Sequence, residues 1–150
     1  MLRLHDLNVG LAFETGAIDV TESHIVAFAG LSGDFFDLHM DDAFARAEGF
    51  AGRVAHGLLG LALIDGLKNR GAIRLDAIAS LEWNWRFVAP IYAGDRIRGR
   101  IEVLSARPTR HPGRGVVRLG IEALNQQGRT VQEGSNTLLV RDELEPGASR

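Results

Sequence analysis

The chain contains no cysteine, which removes disulfide scaffolds, thiolate metal sites and cysteine nucleophiles in one step. It also lacks an excess of charge of either sign. The formal net charge is -2 and the isoelectric point is near 6.2, whereas nucleic-acid binding is normally announced by a basic excess. No nucleic-acid partner is expected. The longest apolar run, near residues 58–64, is far too short to span a bilayer. The opening Met1-Leu2-Arg3-Leu4-His5-Asp6-Leu7 has no basic region, apolar core and small-residue cleavage site of a secretory leader. These absences lead us to expect a soluble cytoplasmic protein with no membrane attachment. No internal repeat, charged tail or low-complexity stretch interrupts the chain.

What is present suits one domain. With 150 residues, 45% of them hydrophobic, the chain can bury a real core but not two comfortable ones. We expect a domain over residues 1–140 and a flexible C-terminal tail over 141–150. The first half reads as helical and the second as extended. Thr21 is a candidate N-cap for a helix over 22–31, with Glu22 in its first turn and Ile25, Phe28 and Ala29 at helical spacing. Asp41 and Asp42 with Ala43, Phe44 and Ala47 predict a second short helix ending around Gly49, with His39 just before it. Residues 57–68 are apolar nearly all round, so that helix must be wrapped. The wrapping is expected from strands. Leu81, Trp83, Trp85 and Phe87 alternate with Glu82, Asn84 and Arg86, and Ile97, Ile101 and Val103 alternate with Arg98, Arg100 and Glu102. Two further strands over 115–124 and 129–140 meet at Asn125-Gln126-Gln127-Gly128, a hairpin signal. Residues 11–20 add a strand near the start, and Arg107 to Arg114 reads as a loop. A buried helix followed by antiparallel strands predicts an α+β fold in which one curled sheet covers the helix.

Between the first two helices lies Gly33-Asp34-Phe35-Phe36-Asp37-Leu38-His39. An ionised Asp34 accepts hydrogen bonds only, whereas a neutral His39 can take up a proton near neutral pH, so the pair is able to hold and activate one water. A loop-capping Asp beside a surface His is the alternative, and the spacing alone leaves both open.

Three blocks, in order, resemble the MaoC-like dehydratases and (R)-specific enoyl-CoA hydratases, which have the hot-dog fold. Phe28-Ala29-Gly30-Leu31-Ser32-Gly33-Asp34-Phe35-Phe36-Asp37-Leu38-His39, followed by Ala45, is similar to their hydratase signature: Ser-Gly-Asp, any residue, Asn-Pro, an aliphatic residue and His. Gly52-Arg53-Val54-Ala55-His56-Gly57-Leu58 resembles the segment entering their central helix. Arg86-Phe87-Val88-Ala89-Pro90-Ile91-Tyr92-Ala93-Gly94-Asp95 resembles a strand and turn of the same family. The likeness spans most of residues 10–140.

The resemblance implies a single hot-dog domain and reversible hydration of a trans-2-enoyl-CoA to the (R)-3-hydroxyacyl-CoA, with no metal and no redox cofactor. It makes Asp34 and His39 the catalytic pair. It also implies that the Gly57 backbone N–H, at a helix start with partial positive charge, stabilises the thioester oxygen as it gains enolate charge. Phe36 and Asp37 stand where the signature has Asn and Pro. A buried Phe36 would make the substrate-binding pocket drier and raise the cost of ionising a neighbouring carboxylate. Asp65, inside the apolar helix, is expected either to touch the pocket or to pair with Arg53, Arg86 or a partner subunit. His56 is read as structural. Asp34, His39, Asp41 and Asp42 could be drawn as a metal site, but helix-start carboxylates beside a His usually cap, and no metal is expected. Arg107, Arg110, His111 and Arg114 either meet the phosphates of coenzyme A or form a solvated loop. An uncovered sheet edge and the family likeness together imply a homodimer or a higher assembly of dimers. Two other functions remain open on the same fold: an acyl-CoA thioesterase, and a non-catalytic subunit that binds an acyl thioester.

Overall fold

Thr21 starts helix α1 (Glu22–Ser32) as its residue type requires. Its hydroxyl accepts the His24 N–H at 3.2 Å, and its own N–H meets His24 Nδ1 at 3.1 Å. The helix stops at Gly33, whose φ of 79° lies in the left-handed region that glycine enters without steric cost, and whose N–H reaches Ala29 O. The computed structural model describes residues 1–142. Most of the proposed tail therefore lies outside the described residues, although Arg141 ends a strand and Asp142 is held. Asp142 Oδ1 accepts the His5 N–H at 3.1 Å and meets His5 Nδ1 at 2.9 Å; the latter bond raises the His5 pKa.

The short helix expected from Asp41 to about Gly49 is α3 (Asp42–Ala47), and the structure adds an unexpected helical turn ahead of it, α2 (Asp37–Met40). Asp41 divides them because its backbone is extended and its carboxylate accepts the Ala43 N–H at 2.7 Å and the Phe44 N–H at 3.3 Å. An N-cap of that geometry cannot also continue the preceding helix. His39 lies ahead of α3, as expected, but within the added turn α2.

The central helix α4 (Gly57–Arg70) crosses one antiparallel sheet of β1 (Ala12–Asp19), β2 (Ala77–Phe87), β3 (Arg96–Pro108), β4 (Arg114–Leu124) and β5 (Thr130–Arg141), ordered β1-β3-β4-β5-β2. This is the expected α+β arrangement. Strand β3 runs on to Pro108, so the predicted 107–114 loop shrinks to a hairpin over 109–113. Ile97, Ile101 and Val103 of β3, Val117, Leu119 and Ile121 of β4, and Leu138 and Val140 of β5 pack with Leu59, Ile64 and Leu67 of α4. Gly60 and Gly66 each cost that helix about 1 kcal/mol relative to Ala. Burying Leu59, Ile64 and Leu67 offsets this several-fold, at about 1.5–3 kcal/mol each. No helix among the described residues is long and apolar enough to cross a membrane.

Two burial expectations change. The helix is covered on one side only, because a single sheet has one inner face; Leu58 stays 60% exposed, and Ala62 and Gly66 are also open. In the edge strand β2, only Trp83 and Trp85 pack against the core, while Leu81 and Phe87 are more than half exposed. Leu81 falls where the β2 register skips between Ser80 and Glu82, which takes it out of the alternation.

Within this chain Asp65 pairs with neither Arg53 nor Arg86. Arg53 is engaged by Glu22 and Asp42, and Arg86 by Glu133. Asp65 instead meets Lys68 at 2.8 Å, one helical turn on, where i,i+3 spacing brings side chains together. The buried Lys68 also donates to Asn136 Oδ1 at 2.7 Å. Fully buried Asn136 in turn donates to Ser80 Oγ at 2.8 Å and Glu82 O at 3.0 Å, joining β5 to the edge strand. Replacing Asn136→Ala should therefore cost about 2–4 kcal/mol in urea unfolding, because it leaves a buried ammonium short of an acceptor. A loss indistinguishable from a surface substitution would show that this network carries little of the stability.

Candidate active site

The loop that carries Asp34 is built from local bonds. Ser32 Oγ donates to Phe28 O at 2.7 Å and accepts the Asp34 N–H at 3.2 Å, while Asp34 Oδ1 accepts the Phe36 N–H at 3.2 Å. These bonds leave Asp34 Oδ2 turned toward His39. His39 Nδ1 lies 2.7 Å from Val54 O. A carbonyl only accepts, so Nδ1 carries the proton and Nε2 holds the free lone pair. That nitrogen sits 3.9 Å from Asp34 Oδ2, too far for a direct hydrogen bond and suited to a shared water.

His56 completes the clamp. Its Nε2 donates to Asp34 O at 2.9 Å, its ring stacks on His39 with centroids 3.9 Å apart, and the Phe28 ring lies tilted against it at 5.0 Å. His56 Nδ1 is buried without a partner among the described residues. Candidate ligand atoms of Asp34, His39 and His56 lie within 4.8 Å of one another. The carboxylates considered with Asp34 and His39 lie elsewhere: Asp41 caps α3, and Asp42 binds the Arg53 N–H at 2.8 Å.

Gly57 is the first residue of α4, and its N–H has no hydrogen-bond partner among the described residues. It lines a cavity of about 310 Å³ with His39, Val54, Phe87, Ile91 and Gln132. Any Cβ at Gly57 would stand 2.6 Å from the Phe87 ring, so glycine is needed for that ring to pack where it does. Gln132 holds the turn from behind. Its Nε2 donates to Gly57 O and its Oε1 accepts from Trp85 Nε1, both at 3.0 Å.

The structure thus brings Asp34, His39 and Gly57 to one place and leaves Asp65 out. Asp65 is eight residues along α4, about 12 Å by helical rise. Phe36 borders the pair edge-on to His39, with ring centroids 6.2 Å apart, but is 55% exposed. The expectation of a buried Phe36 beside the carboxylate is therefore corrected: its backbone N–H serves Asp34 while its ring stays at the surface. Asp37 opens α2, where a carboxylate favours the helix start. The hairpin with Arg107, Arg110 and His111 lies at the far end of the sheet. Gln132 pairs with Ala123, and β4 runs from there back to Arg114, nine residues or about 30 Å.

Three participants escaped the sequence reading: the Val54 carbonyl, the contacts of His56, and Gln132. Gln132 alone left a signal, an uncharged polar residue in an apolar strand. Another hollow, of about 330 Å³, lies on the sheet beside Arg86, Arg100, Glu122 and Glu133. Those charges are paired with one another.

The family model described as MaoC like domain matches residues 8–124. The chain is 31% identical over 119 residues to the 3-hydroxybutyryl-CoA dehydratase of Methylorubrum extorquens, spanning 76% of this chain and 71% of that protein. It is 34% identical over 90 residues to the (R)-specific enoyl-CoA hydratase of Aeromonas caviae, spanning 57% and 63%. Among solved structures it superposes on the MaoC-like dehydratase from Rhodospirillum rubrum with a TM-score of 0.85 at 30% identity, covering 96% of this chain and 100% of that one. With a curled antiparallel sheet on a central helix and the signature loop at its mouth, this chain belongs to the MaoC-like dehydratase family and has its hot-dog fold.

Proposed function

We propose that the protein reversibly adds water to a trans-2-enoyl-CoA, giving the (R)-3-hydroxyacyl-CoA. The observation that carries this reading is the His39 Nδ1 bond to Val54 O, because it leaves Nε2 as a base opposite an ionisable carboxylate. The names of the Methylorubrum and Aeromonas relatives agree with it.

In this reading one water lies between Asp34 Oδ2 and His39 Nε2. His39 removes a proton as the water oxygen bonds to C3, and the electron pair of the double bond moves toward the thioester oxygen. The Gly57 N–H receives that developing charge, helped by the positive end of α4. The His39 imidazolium, beside the Asp34 carboxylate, then delivers its proton to C2. Water has added across the bond and both groups are as they began. No electrons are gained or lost overall, and the reading assigns no cofactor.

The same reading includes a homodimer. Among the described residues, strand β2 has one edge unpaired over 11 residues, and unpaired edges are normally covered. Exposed Phe87 and Val88 end that strand, Leu58 lies on the open side of α4, and Phe35 and Phe36 flank Asp34. A second copy on this side would enclose the site as well as the edge. Light scattering at micromolar concentration should give twice the chain mass; a monomer would overturn this part.

Incubation with enoyl-CoA thioesters of different length should consume the conjugated absorbance. Release of free thiol would indicate hydrolysis, and no change would indicate binding alone. Asp34→Asn and His39→Gln should each lower kcat by about 10²–10⁴-fold, and full activity in either variant would end the mechanism. The tautomers have a separate check. Long-range ¹H–¹⁵N spectra above neutral pH should find the proton on Nδ1 of His39 and on Nε2 of His56; the reverse assignment for His39 would remove its free base.

A further inference from the structure

A second hollow adjoins the cavity at Gly57. About 200 Å³ in volume, it shares Ala89 and Pro90 with the first and is bordered beyond them by Tyr92, Gln126, Gln127 and Arg129. Arg129 is fixed at its backbone by the β4–β5 turn: its N–H donates to Asn125 Oδ1 at 3.0 Å and its carbonyl accepts the Asn125 N–H at 2.9 Å. Its guanidinium has no partner among the described residues. The neighbouring cations are committed. Arg96 pairs with Asp19 at 2.8 Å and Arg53 with Glu22 at 2.8 Å. Arg46 and Arg53 border a different hollow, which shares no residue with the Gly57 cavity and whose Glu22 and Asp42 offset their charge. Asp95 also borders the second hollow, but both its oxygens are occupied, one by the Tyr92 N–H and one by Gln126 Nε2, each at 2.8 Å.

Arg129 precedes Gln132 by three residues, roughly 10 Å of extended chain, and Gln132 is bonded to Gly57 O. A thioester whose oxygen meets the Gly57 N–H has its pantetheine arm to place between the cavity and solvent, and phosphate lies at the end of that arm. We propose that Arg129 and the hollow beside it receive this phosphate, the group that coenzyme A and a carrier-protein arm have in common. The fit is of a planar, permanently charged donor to phosphate oxygens, which Arg meets with two hydrogen bonds at once. The proposal rests on the thioester reading above and names the residue that holds the substrate's handle.

Saturated thioesters bind without reacting, so calorimetric titration with butyryl-CoA, butyryl-phosphopantetheine and butyryl-pantetheine tests the subsite apart from the chemistry. Arg129→Ala should weaken binding of the phosphorylated ligands by about tenfold or more and leave butyryl-pantetheine unchanged, with Arg129→Lys in between. Loss on both phosphorylated ligands identifies the phosphate that the two arms share, and loss on butyryl-CoA alone would overturn the proposal. Unchanged affinity for butyryl-CoA in Arg129→Ala, equal loss on the unphosphorylated ligand, or the same effect from Arg107→Ala with Arg110→Ala would overturn the proposal. So would failure of the unsubstituted protein to bind butyryl-CoA. The two readings separate cleanly: Arg129-dependent binding without turnover of enoyl-CoA defeats the reaction and keeps the subsite, and turnover with Arg129-independent binding does the opposite.

Discussion

A single antiparallel sheet has one concave face, and filling it with α4 constrains nearly every other part of the molecule. The helix must be apolar where it meets β3, β4 and β5, which Leu59, Ile64 and Leu67 satisfy. It must also enter the sheet at a fixed depth, because its first amides point out of the packed layer. Gln132 sets that depth by bonding the Gly57 carbonyl on one side and the Trp85 indole on the other. Gly60 makes room for it, since a Cβ there would stand 2.5 Å from the Gln132 amide. The helix start is thus fixed through side chains while the Gly57 N–H has no partner among the described residues.

Asp34 and His39 are positioned in the complementary way, through backbone carbonyls. Val54 O orients His39, and Asp34 O is held by His56. The Val54 segment is in turn pinned by the Val54 N–H to Leu38 O at 3.1 Å and the Ala55 N–H to Ile91 O at 2.7 Å. The two imidazoles, stacked against each other, therefore take opposite tautomers for purely local reasons. One retains a lone pair aimed at Asp34, and the other retains a buried lone pair that nothing meets.

Most of the fold was legible because it rests on periodicity and capping. Thr21, the alternation in β3 and the Asn125–Gly128 turn all report themselves locally. The helix after Asp41 was legible, whereas the turn α2 before it was not, because one carboxylate can end one helix and begin another and composition does not show the first. Asp65 was misread because its partner, Lys68, was buried in an otherwise apolar stretch. Phe36 was misread because sequence cannot say which side of a loop faces outward. The pair Asp34 and His39 was visible from residue types, but the bond that selects the His39 tautomer comes from a main-chain carbonyl 15 positions away. Every residue has such a carbonyl, so no residue type marks it.

That anonymity bears on how the site tolerates inherited variation. Position 54 contributes an oxygen that any amino acid would supply, provided its backbone keeps the bridge to Tyr92. Its side chain answers to the packing around it, where Val54 is buried, and not to the bond its carbonyl makes. A comparison that ranks positions by residue identity would pass over the group that orients the base. The constraint is inherited as a backbone path, from α2 through Val54 to Ile91, and a substitution that bends this path would silence the site while leaving every recognisable side chain in place.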